Sequence, residues 1–482
     1  MITFLVCIAA LLIGYVVYSR IAERIFGADG SRTTPAVKMA DGVDFVALPV
    51  WKIFLIQFLN IAGLGPIFGA VAGAMWGPVA FLWIVLGTIF AGAVHDYFSG
   101  MLSLKHQGKS ITEISGYYLG NGIRQFMRLF TVVLLIMVGA VFVIGPARII
   151  DDMTGNFAGL ATWVWVVFIY YVVSTVLPID KLIGRIYPVF GIALLFMALG
   201  ISITMLAGGL PIPELTWANF SNQHTDAKSF PIFPMVFITI ACGAISGFHA
   251  TQSPLMARCM TNERQGRKIF YGAMVTEGIV ALIWAAIGMS FYGSVGGLNA
   301  TMTANQGNAA FVVNEICNSM LGKVGGFLAL LGVVAAPITS GDTAFRSARL
   351  IVADFMKLHQ SPIKNRLLIS VPLFGIGLFL TQVDFAVVWR YFAWTNQTLA
   401  AIVLWTITAY LIKERKQYWI TLIPSAFMTA VVVSYLLLAP EGFQLPVNIS
   451  YIAGIAVTVG LTILSVSAVY RGRIQDRVLV QK

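Results

Sequence analysis

Long apolar runs, one after another, constrain this chain more than any other feature. A run of about 20 residues, rising 1.5 Å per residue as a helix, matches the hydrocarbon thickness of a bilayer. Thirteen such runs are read along the 482 residues, roughly 2–19, 51–75, 78–103, 126–149, 160–178, 187–208, 232–257, 268–292, 324–346, 366–382, 385–411, 418–438 and 450–470. Apolar residues make up 58% of the chain and charged ones 11%, and the mean hydropathy is +0.85. Such a composition belongs to lipid rather than to water. The expectation is an all-α polytopic membrane protein.

The net charge of +11 follows from the bias of basic residues toward cytoplasmic loops, so no nucleic-acid partner is expected. With the N-terminus outside, only Arg148, Lys228, Lys323 and Arg390 of the 31 basic residues fall near the outer side. The C-terminus is then cytoplasmic. Arg20 and Arg24 follow the first apolar run, which lacks a basic stretch before it; that order favours an uncleaved anchor over a signal peptide. Cys7 and Cys242 lie in apolar runs, Cys259 among basic residues and Cys317 in a polar loop. The spacings match no disulfide framework and no structural metal site.

Two runs carry breakers near their middles. FLNIAGLGPIFGAVAG (58–73) interrupts the second run with Gly63, Gly65 and Pro66; ACGAISGFHATQSP (241–254) interrupts the seventh with Gly243 and Gly247. Five spans separate the breaks, an odd number, so the two halves are inverted. Half-apolar segments recur at matching places, ITEISGYYLGNGI (111–123) and NAAFVVNEICNSMLG (308–322). The chain therefore reads as an N-terminal helix and linker (1–50), a five-helix repeat (51–208), an outer loop (209–231), an inverted five-helix repeat (232–411), and two C-terminal helices with a basic tail (412–482). Unwound backbone at membrane depth is tolerated only where protein or a cavity surrounds it. Paired broken helices in inverted repeats mark a transporter's central site. Half-helix N-termini and freed carbonyls carry opposite partial charges, suiting an anionic substrate and a cation. Simple close packing by glycine is the competing account.

GLGPIFGAVAGAMWGPVAFLWIVLG, AGAVHDYFSGMLS, GAISGFHATQSPLMARC and PITSGDTAFRSARL resemble the carbon starvation protein A (CstA-like) family, over about residues 43–400. The resemblance implies a bacterial inner-membrane transporter linked to peptide uptake and, in some members, proton-coupled pyruvate uptake. The five-plus-five plan itself resembles the amino acid–polyamine–organocation architecture, with helices 1 and 6 discontinuous. Substrate groups are expected at Gly63, Gly65, Pro66, Gly243, Ser246, Gly247, His249 and Gln252, with Trp394 and Asn396 as cavity-lining candidates.

Ionisable residues inside spans are costly and are functional candidates. His95 and Asp96 lie in the third run and Glu277 in its repeat partner. Their separation matches that of Gly63 and Gly243 to within one position. Thr339, Ser340, Asp342 and Thr343 offer hard oxygen donors for a cation; Asp342 alternatively carries a proton or pairs with Arg346 four residues on. His95 and His249 lack a third ligand pattern, so no metal is expected. No cofactor is expected either, only a coupling ion, H⁺ or Na⁺. No GxSxG, HExxH or phosphate loop is present. The reading is a secondary transporter of the bacterial cytoplasmic membrane taking up a small carboxylate-bearing nutrient with protons. A sodium symporter is the alternative, ahead of a channel or a membrane-embedded enzyme.

Overall fold

In the computed structural model, apolar helices follow one another with short connections, and no strand occurs among the described residues. The structure describes the backbone except at residues 43, 156, 177–178, 361, 384 and 481–482, and the side chains except also at 152–153, 176, 179–186, 323–330, 386 and 468–480. The side chains of Lys181, Arg185, Lys323, Arg471, Arg473, Arg477 and Lys482 lie outside the described residues.

α1 (Ile2–Phe26) ends at Gly27, whose positive φ of 77° lets its N–H cap the Glu23 carbonyl. α2 (Val50–Ile61) and α3 (Gly65–Trp76) form one span bent by 54°. The bend starts at Ala62, which leaves the helical region, and the Gly63 N–H turns back to the Ile61 carbonyl. The unwound residues are thus 62–64. Gly65 and Pro66, expected within the break, open α3 instead. That is where a missing N–H costs nothing and the fixed φ of proline suits a helix start.

α4 (Val79–Lys105), the short α5 (Ile111–Leu119), α6 (Asn121–Met153), α7 (Leu160–Val176) and α8 (Ile179–Ala207) follow. The second broken span is α9 (Ile232–Thr239), an unwound stretch at 240–246, and α10 (Gly247–Ala257). This break is shorter than 241–254: residues 247–254 are helical, Pro254 included. His249 and Gln252 therefore stand on a rigid half-helix.

The second half continues with α11 (Glu263–Phe291), α12 (Val295–Ala304), α13 (Ala309–Ala329) and α14 (Ala335–Met356). A kink at Gly322, with φ 56° and ψ −144°, divides α13. Cys317 lies buried on that helix rather than in a polar loop, because its neighbours Val312, Val313 and Ile316 make an apolar face. α15 (Ile363–Leu380), α16 (Phe385–Lys413), α17 (Trp419–Leu438) and α18 (Val447–Val480) complete the chain. Among the described residues nine helices are long and apolar enough to cross a membrane, ten with the bent pair. Of the remaining expected spans, α7 is short and apolar, 232–257 is interrupted, and 324–346 overlaps undescribed side chains.

The core forms around the two broken spans. α2 packs against α8, α10, α11 and α14, and α10 also against α4 and α16. α1 leans on α11, while α17 and α18 extend the bundle beyond α16.

Candidate functional site

The start of α3, just after the first break, touches the second unwound segment. A Cβ added at Gly65 would meet Cys242 Cβ at 2.3 Å, one at Gly243 would approach Pro66 Cα at 3.7 Å, and one at Gly69 would meet the Thr239 carbonyl at 2.9 Å. Glycine is required here by close backbone approach. Side chains from neighbouring helices take up carbonyls that the second break frees. Trp83 Nε1 donates to Ile240 O at 3.0 Å, Thr88 Oγ1 to Gly243 O at 3.1 Å and Gln397 Nε2 to Phe237 O at 3.0 Å. Each satisfies a group that would otherwise cost several kcal/mol, as an order of magnitude, in an apolar interior. The N-terminus of α10 is capped from another helix: Asn396 Oδ1 accepts from the Phe248 N–H at 2.7 Å and from Ser246 Oγ at 3.1 Å.

One turn into α10, His249 lies between carboxylates from two other helices. Its Nδ1 is 2.9 Å from Asp96 Oδ2, and its Nε2 is 3.5 Å from Glu277 Oε2. Asp96 Oδ1 is in turn 2.8 Å from His95 Nδ1. All four side chains are fully buried. This geometry restricts where protons sit. An Nδ1–H donating to Asp96 leaves a neutral His249 with a lone pair on Nε2. That lone pair faces a carboxylate oxygen, so the contact is favourable only when a proton lies on His249 Nε2 or on Glu277. Neither oxygen of Glu277, nor Nε2 of either histidine, has a hydrogen-bond partner among the described residues. Cys242, His249 and Glu277 also offer ligand atoms all within 4.8 Å of one another. Thiol, imidazole and carboxylate together suit a borderline divalent metal.

The second expected cluster lies on α14. Asp342 Oδ2 accepts from Ser174 Oγ at 2.5 Å and Tyr187 OH at 2.6 Å. Ser340 Oγ donates to Leu59 O at 3.1 Å, joining α14 to the end of α2 beside the first break. Thr339 and Thr343 direct their hydroxyls to carbonyls of their own helix. Arg346 Nη1 lies 3.7 Å from Asp44, and its Nη2 donates to Ser174 O at 3.1 Å. Arg349 Nη2 approaches the same Asp44 oxygen at 3.8 Å.

Thus the fold brings together Gly65, Pro66, Gly243, Ser246, Gly247, His249, Asn396, His95, Asp96 and Glu277. Gly63 faces Phe142 and Ser340 instead. Gln252 is buried on α10, with Nε2 donating to Thr251 Oγ1 and Oε1 unpartnered among the described residues. Trp394 is a correction: its indole N–H donates to Val432 O on α17, so it faces away from the breaks. Two residues escaped the sequence reading, Gln57 and Asn60. Both are fully buried on α2, which packs on α10, and neither amide has a hydrogen-bond partner among the described residues. The signal for them was two amides three positions apart in the otherwise apolar stretch 53–61. Cys242, Ser174 and Tyr187 were also missed, since their roles arise from contacts across helices.

Membrane-length helices around two broken spans packed on one another, with a buried polar network beside the second break, define a membrane transporter. The family model described as carbon starvation protein CstA matches residues 1–155, 152–323 and 310–435. The chain belongs to that family. An uncharacterized membrane protein of Haemophilus influenzae is 43% identical over 339 residues, 61% of this chain and 91% of the relative. The peptide transporter CstA of Escherichia coli K12 is 25% identical over 85% of this chain and 76% of its own. The pyruvate/proton symporter BtsT of the same organism is 27% identical over 57% of this chain and 47% of its own. A solved manganese transporter of Eremococcus coleocola superposes with a TM-score of 0.55 at 12% identity, covering 90% of this chain and 99% of that one. That likeness is one of fold alone.

Proposed function

We propose that this chain is a proton-coupled symporter of the bacterial cytoplasmic membrane, N-terminus outside and C-terminus cytoplasmic. It takes up a small carboxylate-bearing nutrient, pyruvate or a short peptide, during carbon limitation. The names of two relatives, a peptide transporter and a pyruvate/proton symporter, support the substrate class. The observation that carries the coupling is the row Asp96–His249–Glu277, which needs a proton between His249 Nε2 and Glu277. An incoming substrate carboxylate adds a negative charge beside two carboxylates. At an effective dielectric of 20, unit charges about 4 Å apart interact by about 4 kcal/mol. Binding the anion and binding a proton therefore favour each other, which is the thermodynamic content of symport. The second break leads straight into the half-helix that carries His249, so polar backbone lies next to this row.

Uptake into proteoliposomes tests the reading. A pH gradient, inside alkaline, should drive accumulation of labelled pyruvate or dipeptide. Accumulation under sodium alone would move the coupling to Thr339, Ser340 and Thr343. A second reading, a divalent transition metal at Cys242, His249 and Glu277, is favoured by their convergent ligand atoms. Chelation separates the two: proton-driven uptake survives a chelator, whereas metal-dependent uptake stops.

A further inference from the structure

The outward face of the bundle carries a groove of about 640 Å³ walled by three helices, α1, α2 and α11. Leu12 and Tyr15 line it from α1, Trp51 and Phe54 from α2, and Lys268 and Ile279 from α11. The walls converge at Gly272, where an added Cβ would meet Tyr15 at 3.4 Å and Phe54 at 3.6 Å. The groove is open on the lipid side, since Leu12 and Trp51 are half exposed.

We propose that this groove seats one acyl chain of an anionic glycerophospholipid, with its phosphate held at the Lys268 end. Three observations converge on that occupant. The first is length: from Lys268 to Ile279 the wall of α11 runs about 16 Å at 1.5 Å per residue. This is close to one leaflet, half of the ~30 Å hydrocarbon core. The second is polarity along the groove, whose charge lies at one end only; midway, Thr276 turns its hydroxyl to the Gly272 carbonyl at 2.9 Å. At the charged end Lys268 is exposed and makes no ion pair among the described residues, and Lys52 lies 5.5 Å from the Trp51 ring. An indole beside two lysines is the composition of a headgroup interface. The third is continuity. An apolar pocket of about 320 Å³ between α1, α8 and α11 shares Thr276 and Ile279 with the groove and extends it toward the opposite leaflet.

The seat gives a structural role to α1, which lies outside both repeats and forms one of its walls. The groove also sits on the back of the candidate site. Thr276 faces the lipid groove, and the next residue, Glu277, faces His249.

Fluorescence quenching tests the proposal on the purified full chain. Phosphatidylglycerol or phosphatidylcholine with brominated acyl chains is titrated into detergent-solubilised protein. The signal from Trp51 is taken as the difference from Trp51→Phe. The anionic lipid should quench at a concentration about fivefold lower per lysine engaged. Lys52→Gln with Lys268→Gln should make the two lipids equal, and Thr276→Phe, which fills the groove, should weaken quenching by both. Equal quenching in the wild type means ordinary bilayer contact and overturns the proposal. So does headgroup preference that survives loss of both lysines. Absence of any Trp51 quenching means protein, such as a second copy, covers the groove, and it overturns the proposal too. The wild-type comparison decides the matter even if a variant fails to fold.

Discussion

The contact between the start of α3 and the second break can be tested by moving one methyl group across it. Gly65→Ala places a new Cβ 2.3 Å from Cys242 Cβ and 2.4 Å from its Sγ. Ordinary carbon contacts are about 3.5–4.0 Å, so α3 and the second unwound segment must separate by about 1.2 Å or more. Overpacking of that kind costs about 1–3 kcal/mol. Taking about 2 kcal/mol as the loss of correctly aligned sites, uptake should fall about thirtyfold. Cys242→Gly removes both clashing atoms, and the next neighbour of the new Cβ is then Cys242 Cα at 3.6 Å. The double variant should recover to within about threefold of Cys242→Gly alone, a coupling that independent sites would not show. Gly375→Ala is the control, because an added Cβ there meets nothing within 4 Å; its uptake should match wild type. The assay is initial uptake in proteoliposomes, normalised to folded protein by size-exclusion chromatography. If the double variant is no better than Gly65→Ala, the clash is not with Cys242 and the packing account fails.

Asp96→Asn removes the carboxylate charge and leaves one acceptor oxygen where two now face His95 and His249; gradient-driven accumulation should vanish while substrate counterflow, which needs no net proton movement, persists. Loss of both would place Asp96 in substrate binding instead. Asn396→Ala uncaps α10 in trans, costing about 1 kcal/mol; the thermal midpoint should drop by about 1 °C for a chain of this length and substrate affinity should weaken, and an unchanged affinity and midpoint argue against the cap. In the loop after α8, hydrogen bonds from the N-terminal ammonium, then from Thr3, hold Glu214 down at about 2, below the ordinary 4.5 of a glutamate. A depressed carboxylate stabilises above its unfolded value and loses that contribution as pH falls toward 2. Amide exchange around Leu215, whose N–H bonds Thr3 Oγ1, should therefore quicken, relative to the intrinsic rate, as pH is lowered from 4.5 to 2. Glu214→Gln should abolish that step, and a pH-independent difference between the two proteins would exclude the linkage.

Much of this architecture is legible in the chain itself. A bilayer demands apolar runs of one length, so most spans are read directly, and Gly63-Leu64-Gly65-Pro66 and Cys242-Gly243 mark where helices fail. Asp96, His249 and Glu277 stand out because charge in lipid is expensive. Sequence alone left undecided which of these meet. The α14 group, Asp342 with Ser340, looks as plausible as Asp96 with Glu277. Only the packing of α4, α10 and α11 puts His249 between the last two, while Asp342 turns to Ser174 and Tyr187. Trp394 and Asn396 are two positions apart on one helix, about 200° around its axis, and packing sends them opposite ways, to α17 and to the N-terminus of α10. Composition dictates the solvent and the length of each helix because transfer free energy is a local sum. Which polar atoms face one another is decided by helix rotation and crossing, which depend on all the surrounding helices at once.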